Sequence, residues 1–278
     1  MQAGVEKVEN SLSYNAYKNS PYRSDKHSTY FGVYDDLFKK YIGKEIKFVE
    51  IGVLNGGSLF MWRSFFGNQA RIIGIDLNEN AKKWEEDGFE IYIGSQSDEG
   101  FWQGFISKIG PVDVVLDDGG HAYDQQIITT EMLLSNINDG GMLVVEDTHT
   151  SYLDGFGPKQ YSFIEYTKKV IDRINHRSGR VLGKNSEKRI WSVRIYESIV
   201  AFLVNSEEVM LKSESVVNEG VDGRAEDFRY HDKKISFFFD NLPKRFKILK
   251  VIFGRAVFRN LTSYFMKMEF KAKRFFVD

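Results

Sequence analysis

The sequence predicts an α/β fold built on a doubly wound, mainly parallel, seven-stranded sheet. Three observations carry that prediction. Apolar, β-branched runs alternate with helical stretches through residues 46–176. Two of those runs end abruptly in adjacent carboxylates, Leu116-Asp117-Asp118 and Val145-Glu146-Asp147. A last pair of runs, within residues 189–204, is joined by a tight turn and reads as a terminal β-hairpin. Runs of this kind suit strands buried on both faces. Strict β/α alternation implies parallel strands with right-handed crossovers.

The elements follow in order. Residues 1–45 are polar and rich in tyrosine, with helical spacing over 34–41 and Gly43 as a C-cap. Strand one is expected at 46–51. The turn Gly52-Val53-Leu54-Asn55-Gly56-Gly57 then opens a helix at Ser58. Strand two covers 71–75 and ends at Asp76; a short helix at 81–87 leads to strand three at 90–93. A helix at 101–109 precedes strand four at 112–116. A helix at 125–135 and the turn Asn138-Asp139-Gly140-Gly141 precede strand five at 142–145. A further helix is expected around 161–176. These elements divide the chain into an N-terminal lid or substrate segment (1–45), a core (46–205) and a C-terminal extension (206–278).

At 278 residues the chain is long enough for one α/β domain with additions. A net charge of −1 disfavours a whole-protein nucleic-acid binder. The absence of cysteine excludes disulfides, thiolate metal sites and a cysteine nucleophile. The first residues lack a signal-peptide pattern, and no apolar run reaches the ~18–20 residues that span a bilayer. The expectation is a cytoplasmic protein. Charge is uneven: residues 228–278 hold thirteen Lys or Arg against four acids, interleaved with aromatics such as Phe237-Phe238-Phe239. Such a tail would serve as an amphipathic helical cap, a peripheral contact with the inner face of a membrane, or the seam of a homo-oligomer. No nucleic-acid motif accompanies the charge.

Function concentrates at the strand ends, where open α/β sheets bind ligands. Strands four and five as neighbours, about 4.8 Å apart, would gather four carboxylates and His121 at one edge. Oxygen-rich clusters suit a hard cation such as Mg²⁺. Each residue also has a plainer use: Asp118-Gly119 is a common turn pair, and Glu146 and Asp147 would cap a helix. At the other end, the glycine turn lacks the G-x-G-x-x-G dinucleotide pattern, which disfavours an NAD-dependent oxidoreductase. Glu50 would repel a pyrophosphate but accept from an amino group, and Asp76 is placed for ribose hydroxyls. An adenosine ligand that is cationic, S-adenosylmethionine (SAM), fits that pair of acids.

With E-I-G-V-x-x-G-G-S-L-x-M-W from Glu50, G-I-D at Asp76, G-S-Q-S-D at Gln96, D-D-G-G-H and V-E-D-x-H-T-S-Y, the sequence resembles the Mg²⁺-dependent class I O-methyltransferases. The members it most resembles act on sugars of macrolide and polyketide antibiotics, with cephalosporin-hydroxylase-like relatives. The resemblance covers roughly residues 24–205 and implies a Rossmann-like core. It implies Asp118, Glu146 and Asp147 as Mg²⁺ ligands and His121 as general base. It further implies Glu50, Gly52, Ser58, Asp76, Gln96 and Asp117 as the lining of the SAM pocket. Ser95 and Gly120 depart from the usual Asp and Ser of this family without removing a ligand or the base.

The chemistry follows from these residue types. A sugar hydroxyl is a poor nucleophile; a divalent cation would stabilise the developing alkoxide, and His121 would take its proton near neutral pH. The expected activity is methyl transfer from SAM to a sugar hydroxyl of a glycan or glycosylated natural product. A catechol-like diol is the alternative acceptor, and a non-catalytic scaffold of the same fold the alternative of another class. Lys26 and Tyr30 are expected to fold over SAM, and His149 to line the pocket or pack.

Overall fold

The computed structural model describes residues 8–178, 188–221, 223, 233–245 and 247–275. The chain divides into two units, residues 1–214 and 215–278. In the first, seven strands form one sheet: β1 (Lys47–Ile51), β2 (Arg71–Asp76), β3 (Glu90–Ile93), β4 (Val112–Asp117), β5 (Ile137–Val145), β6 (Ile190–Tyr196) and β7 (Ile199–Val204). Their order is β3-β2-β1-β4-β5-β7-β6. The first five are parallel, and β7 runs antiparallel to both β5 and β6. The expected doubly wound sheet with its terminal hairpin is present.

Helices cover both faces. On one lie α1 (Leu12–Lys18), α2 (Tyr30–Phe38) and α3 (Gly57–Phe66); on the other lie α4 (Glu99–Ile109), α5 (Tyr123–Leu134) and α6 (Phe163–Asn175). The sheet residues alternate between the two cores as the strand period of two requires. Phe48, Val114, Leu116, Met142 and Val144 join Tyr34, Phe38, Trp62 and Phe66. Val49, Ile51, Val115, Leu143 and Val145 join Trp102, Phe105, Phe163 and Val170. Burial of each large apolar side chain contributes about 1.5–3 kcal/mol, so both faces are held strongly. The N-terminal residues thus enter the main core: Tyr34 and Phe38 are fully buried, with the Trp62 ring 5.1 and 5.5 Å from theirs.

Two elements differ locally from expectation. Residues 79–87 form a 3₁₀ helix, started by Asn78 Oδ1 accepting from Asn80 N–H and ended by Gly88 at φ 81°. Strand β5 starts at Ile137, before the Gly140-Gly141 pair, because Val112 pairs with Ile137 ahead of a register shift.

The second unit contains a helical pair. Helix α7 (Lys234–Arg245) packs on a segment, Lys247–Met268, that is kinked at Gly254 (φ 71°). The Phe239 and Phe265 rings stack at 4.7 Å, and Glu269 accepts from the N–H groups of Ile235 and Ser236. Phe237, Phe238, Tyr264 and Met268 stay exposed. Among the described residues, no helix is long and apolar enough to cross a membrane.

Candidate active site

Strand register builds the site. Ile51, Asp117 and Val145 lie in one row across β1, β4 and β5. The next residues, Gly52, Asp118 and Glu146, therefore leave the sheet side by side. Asp118 N–H donates to Ile51 O and Glu146 N–H to Asp117 O, at 3.0 and 2.9 Å. Gly52 (φ 89°) is required here: a Cβ would lie 2.1 Å from the Asp118 carbonyl oxygen.

Asp118, His121 and Asp147 can each present a ligand atom within 4.8 Å of the others. His121 Nε2 is 3.4 Å from Asp147 Oδ2. Both residues have left-handed backbones, φ 59° and 54°. Such conformations are costly outside glycine and gather at functional sites. Asp147 is further ringed by His27 and His149, at 4.0 and 3.9 Å, and accepts from Tyr30 OH at 2.5 Å. His149 Nδ1 is also hydrogen-bonded to Ser198 Oγ.

Glu146 is buried at the cluster's rear. Its Oε1 accepts from Tyr34 OH at 2.6 Å and its Oε2 from Lys26 Nζ at 3.1 Å. The same ammonium lies 2.5 Å from Asp118 Oδ2, with the Lys26 side chain only 2% exposed. Burial opposes charge on Lys26, but Asp118 and Glu146 outweigh it and hold the amine well above its ordinary range. Burial raises the Glu146 carboxyl, and Lys26 and Tyr34 partly offset that rise. Sequence reasoning gave no place to Tyr34 or His27 and set Lys26 and Tyr30 over SAM; here Lys26 and Tyr30 donate to the carboxylates. The signal was faint, a Lys-His and tyrosines at helical spacing in an otherwise polar segment.

The remaining residues flank the glycine turn. Glu50 is fully buried and accepts from Ser58 Oγ (2.8 Å) and Trp62 Nε1 (2.9 Å). Burial pushes its carboxyl up to about 7, against the lowering effects of Lys26, Trp62 and Ser58. Asp76, half-buried, accepts from the N–H groups of Val53, Leu54 and Asn78, so it ties the turn to β2. Gln96 donates through Nε2 to Asp117 and accepts from Gly120 N–H at 2.8 Å, bracing the Asp118 turn from below. Burial raises the Asp117 carboxyl to about 7. Residues 20–23 lie over the turn: Ser20 Oγ donates to Gly57 O at 2.7 Å, and the Tyr22 ring lies 4.5 Å from that of Trp84.

Residues 49–148, from β1 through both acidic strand ends, match the family model described as a methyltransferase domain. This stretch is thus similar to a methyltransferase domain. It includes every carboxylate above, whereas Lys26, Tyr30 and Tyr34 precede it. Demethylmacrocin O-methyltransferase of Streptomyces fradiae is 30% identical over 195 residues, 63% of this chain and 48% of that protein. Mycinamicin VI 2''-O-methyltransferase of Micromonospora griseorubida is 33% identical over 156 residues, 51% of this chain and 39% of that protein. The chain thus spans less than half the length of these curated relatives. The structure of MycE methyltransferase from the mycinamycin biosynthetic pathway, in complex with Mg and SAH, superposes with a TM-score of 0.61. It is 26% identical and covers 70% of this chain and 54% of that one. A second MycE structure holds Mg, SAH and mycinamycin VI, with a TM-score of 0.62.

The donor chemistry fits both groups. The strand ends gather the carboxylates of Asp118 and Asp147 for a hard divalent cation, with the His121 imidazole beside them. Acids at the glycine turn favour a cationic adenosine ligand over a phosphorylated one.

Proposed function

We propose that the chain is a SAM- and Mg²⁺-dependent O-methyltransferase acting on a sugar hydroxyl of a glycan or glycosylated natural product. The observation that carries this is the Asp118–His121–Asp147 cluster, set beside the glycine turn of a methyltransferase domain. The relatives' names supply the acceptor class. When bound, SAM supplies an electrophilic methyl group and the cation supplies positive charge against the acceptor oxygen. Asp118 and Asp147, with Glu146 behind them, would hold the cation. Glu50, Gly52, Ser58, Asp76, Gln96 and Asp117 form or brace the SAM side.

His121 takes the proton of the acceptor hydroxyl through Nε2. Asp147 Oδ2 lies 3.4 Å from that nitrogen, and the left-handed backbone at both residues sets their approach. Tyr30 and Tyr34 donate to Asp147 and Glu146, orienting those carboxylates. Positioning of acceptor and donor in line supplies much of the acceleration.

The extension carries a second, separable role. Its exposed Phe237, Phe238, Tyr264 and Met268, among many basic residues, suit a peripheral contact with an anionic membrane. Sedimentation with anionic and neutral vesicles tests it, and binding equally to both would contradict it. The reaction is tested by incubating the purified chain with SAM, Mg²⁺ and a panel of glycosylated acceptors, with Asp118→Asn beside it. A sugar methyl ether formed by the wild type and lost in the variant is expected; failure to bind SAM would sink the proposal.

A further inference from the structure

We infer that Lys26 is the resident cation of the Asp118–Glu146 pair, and that a divalent metal enters the site by exchanging with it. The inference rests on the metal-dependent reading above.

The Lys26 ammonium bridges two carboxylates that lie 92 and 120 residues away in sequence. It occupies the space between Asp118 Oδ2 and Glu146 Oε2, the two oxygens that face each other across the ends of β4 and β5. Glu146 has no uncommitted oxygen, because Tyr34 OH holds the other. The atoms that gather without it belong to Asp118, His121 and Asp147. A cation arriving at Asp118 and Asp147 meets, at Asp118, a carboxylate already paired with an ammonium. Two positive charges on this one half-buried carboxylate repel each other. Coordination of Glu146 as well would require the ammonium to leave.

The exchange has a physical reason to exist. Carboxylates packed this closely, with Glu146 buried, would repel one another in a metal-free chain. Lys26 compensates two of them until a doubly charged ion arrives. The lysine is thus a positioning residue: it holds the ligand carboxylates in place and sets the affinity that a metal must exceed.

The test is direct binding of Mn²⁺, a paramagnetic stand-in, followed by the loss of its free spin-resonance signal. Lys26→Met keeps the length and apolar stem but removes the charge. Exchange predicts that this variant binds Mn²⁺ about tenfold tighter or more, within the usual range of coupling between two sites. Equal or weaker binding would overturn it. Because the variant leaves Glu146 without its cation and could fold poorly, a second measurement uses the wild type alone. Acetylation with acetic anhydride, read by peptide mass spectrometry, should modify the shielded Lys26 severalfold faster at saturating Mn²⁺. Lys83, exposed in the structure, should be unaffected. Protection of Lys26 unchanged by Mn²⁺ would also overturn the exchange. Mn²⁺ uptake with no response to Lys26→Met removes this inference and leaves the metal-dependent reading standing. SAM binding without Mn²⁺ uptake in either protein removes both the exchange and the metal.

Discussion

Glu50→Gln should stabilise the ligand-free protein at alkaline pH. The carboxyl is 0% exposed and its pKa is pushed by burial from 4.5 to about 7. The folded chain therefore binds this proton more tightly than the unfolded chain does. Stability from this group is greatest below the unfolded pKa, falls as pH rises from 4.5 to about 7, and is level above that. At about 1.4 kcal/mol per tenfold in proton affinity, ionised Glu50 costs about 3 kcal/mol near pH 8 and about 1 kcal/mol near pH 5. Glutamine removes the ionisation without orphaning its neighbours. Its carbonyl can still accept from Trp62 Nε1, and the Ser58 hydroxyl can turn to accept from its amide. Urea unfolding followed by tryptophan fluorescence, with Trp62 itself buried, should show the variant more stable near pH 8 by up to about 3 kcal/mol, the gain shrinking toward pH 5. A variant less stable than wild type near pH 8, or a difference independent of pH, would refute the reasoning. The same variant should bind SAM more weakly, because it loses the negative charge beside the glycine turn.

Three further outcomes are expected. His121→Ala should lower kcat by about 10²–10⁴-fold while leaving SAM affinity measured by calorimetry unchanged; loss of SAM binding instead would assign His121 to the cofactor side. Gly52→Ala should destabilise by more than the roughly 1–2 kcal/mol of its left-handed backbone alone, since the methyl group meets the Asp118 carbonyl at 2.1 Å. Thermal unfolding reads the loss, and an unchanged midpoint would mean that β1 and β4 separate freely. Tyr34→Phe removes the hydroxyl that donates to the buried Glu146 and should cost about 1–3 kcal/mol. Equal stability in urea would show that Glu146 finds another donor.

The sheet was legible because β1, β4 and β5 are buried on both faces and so read as unbroken apolar runs. Their ends were legible because acids rarely close such a run without a use, and register then sets Gly52, Asp118 and Glu146 side by side. The β6–β7 hairpin was equally plain from two apolar runs around a tight turn. What the sequence could not show is long-range partnership. Nothing local to Lys26 or Tyr34 says that they reach Glu146, 120 and 112 residues away. Nor does local sequence reveal the left-handed backbones of His121 and Asp147. Asp76 was expected to face a ribose; that its oxygens also receive three backbone N–H groups, two of them from the glycine turn, was not legible in the sequence. The 3₁₀ form of residues 79–87 was hidden for a related reason, since its caps resemble those of an α-helix.

The most direct measurement is transfer of an isotopically labelled methyl group from SAM to a glycosylated acceptor, followed by mass spectrometry and NMR of the product. The expected result is one methyl ether on a sugar hydroxyl, abolished by chelation, restored by Mg²⁺ and absent with Asp118→Asn. Transfer that persists in chelator and in the variant, or a label found on nitrogen or on the aglycone, would contradict the proposed reaction.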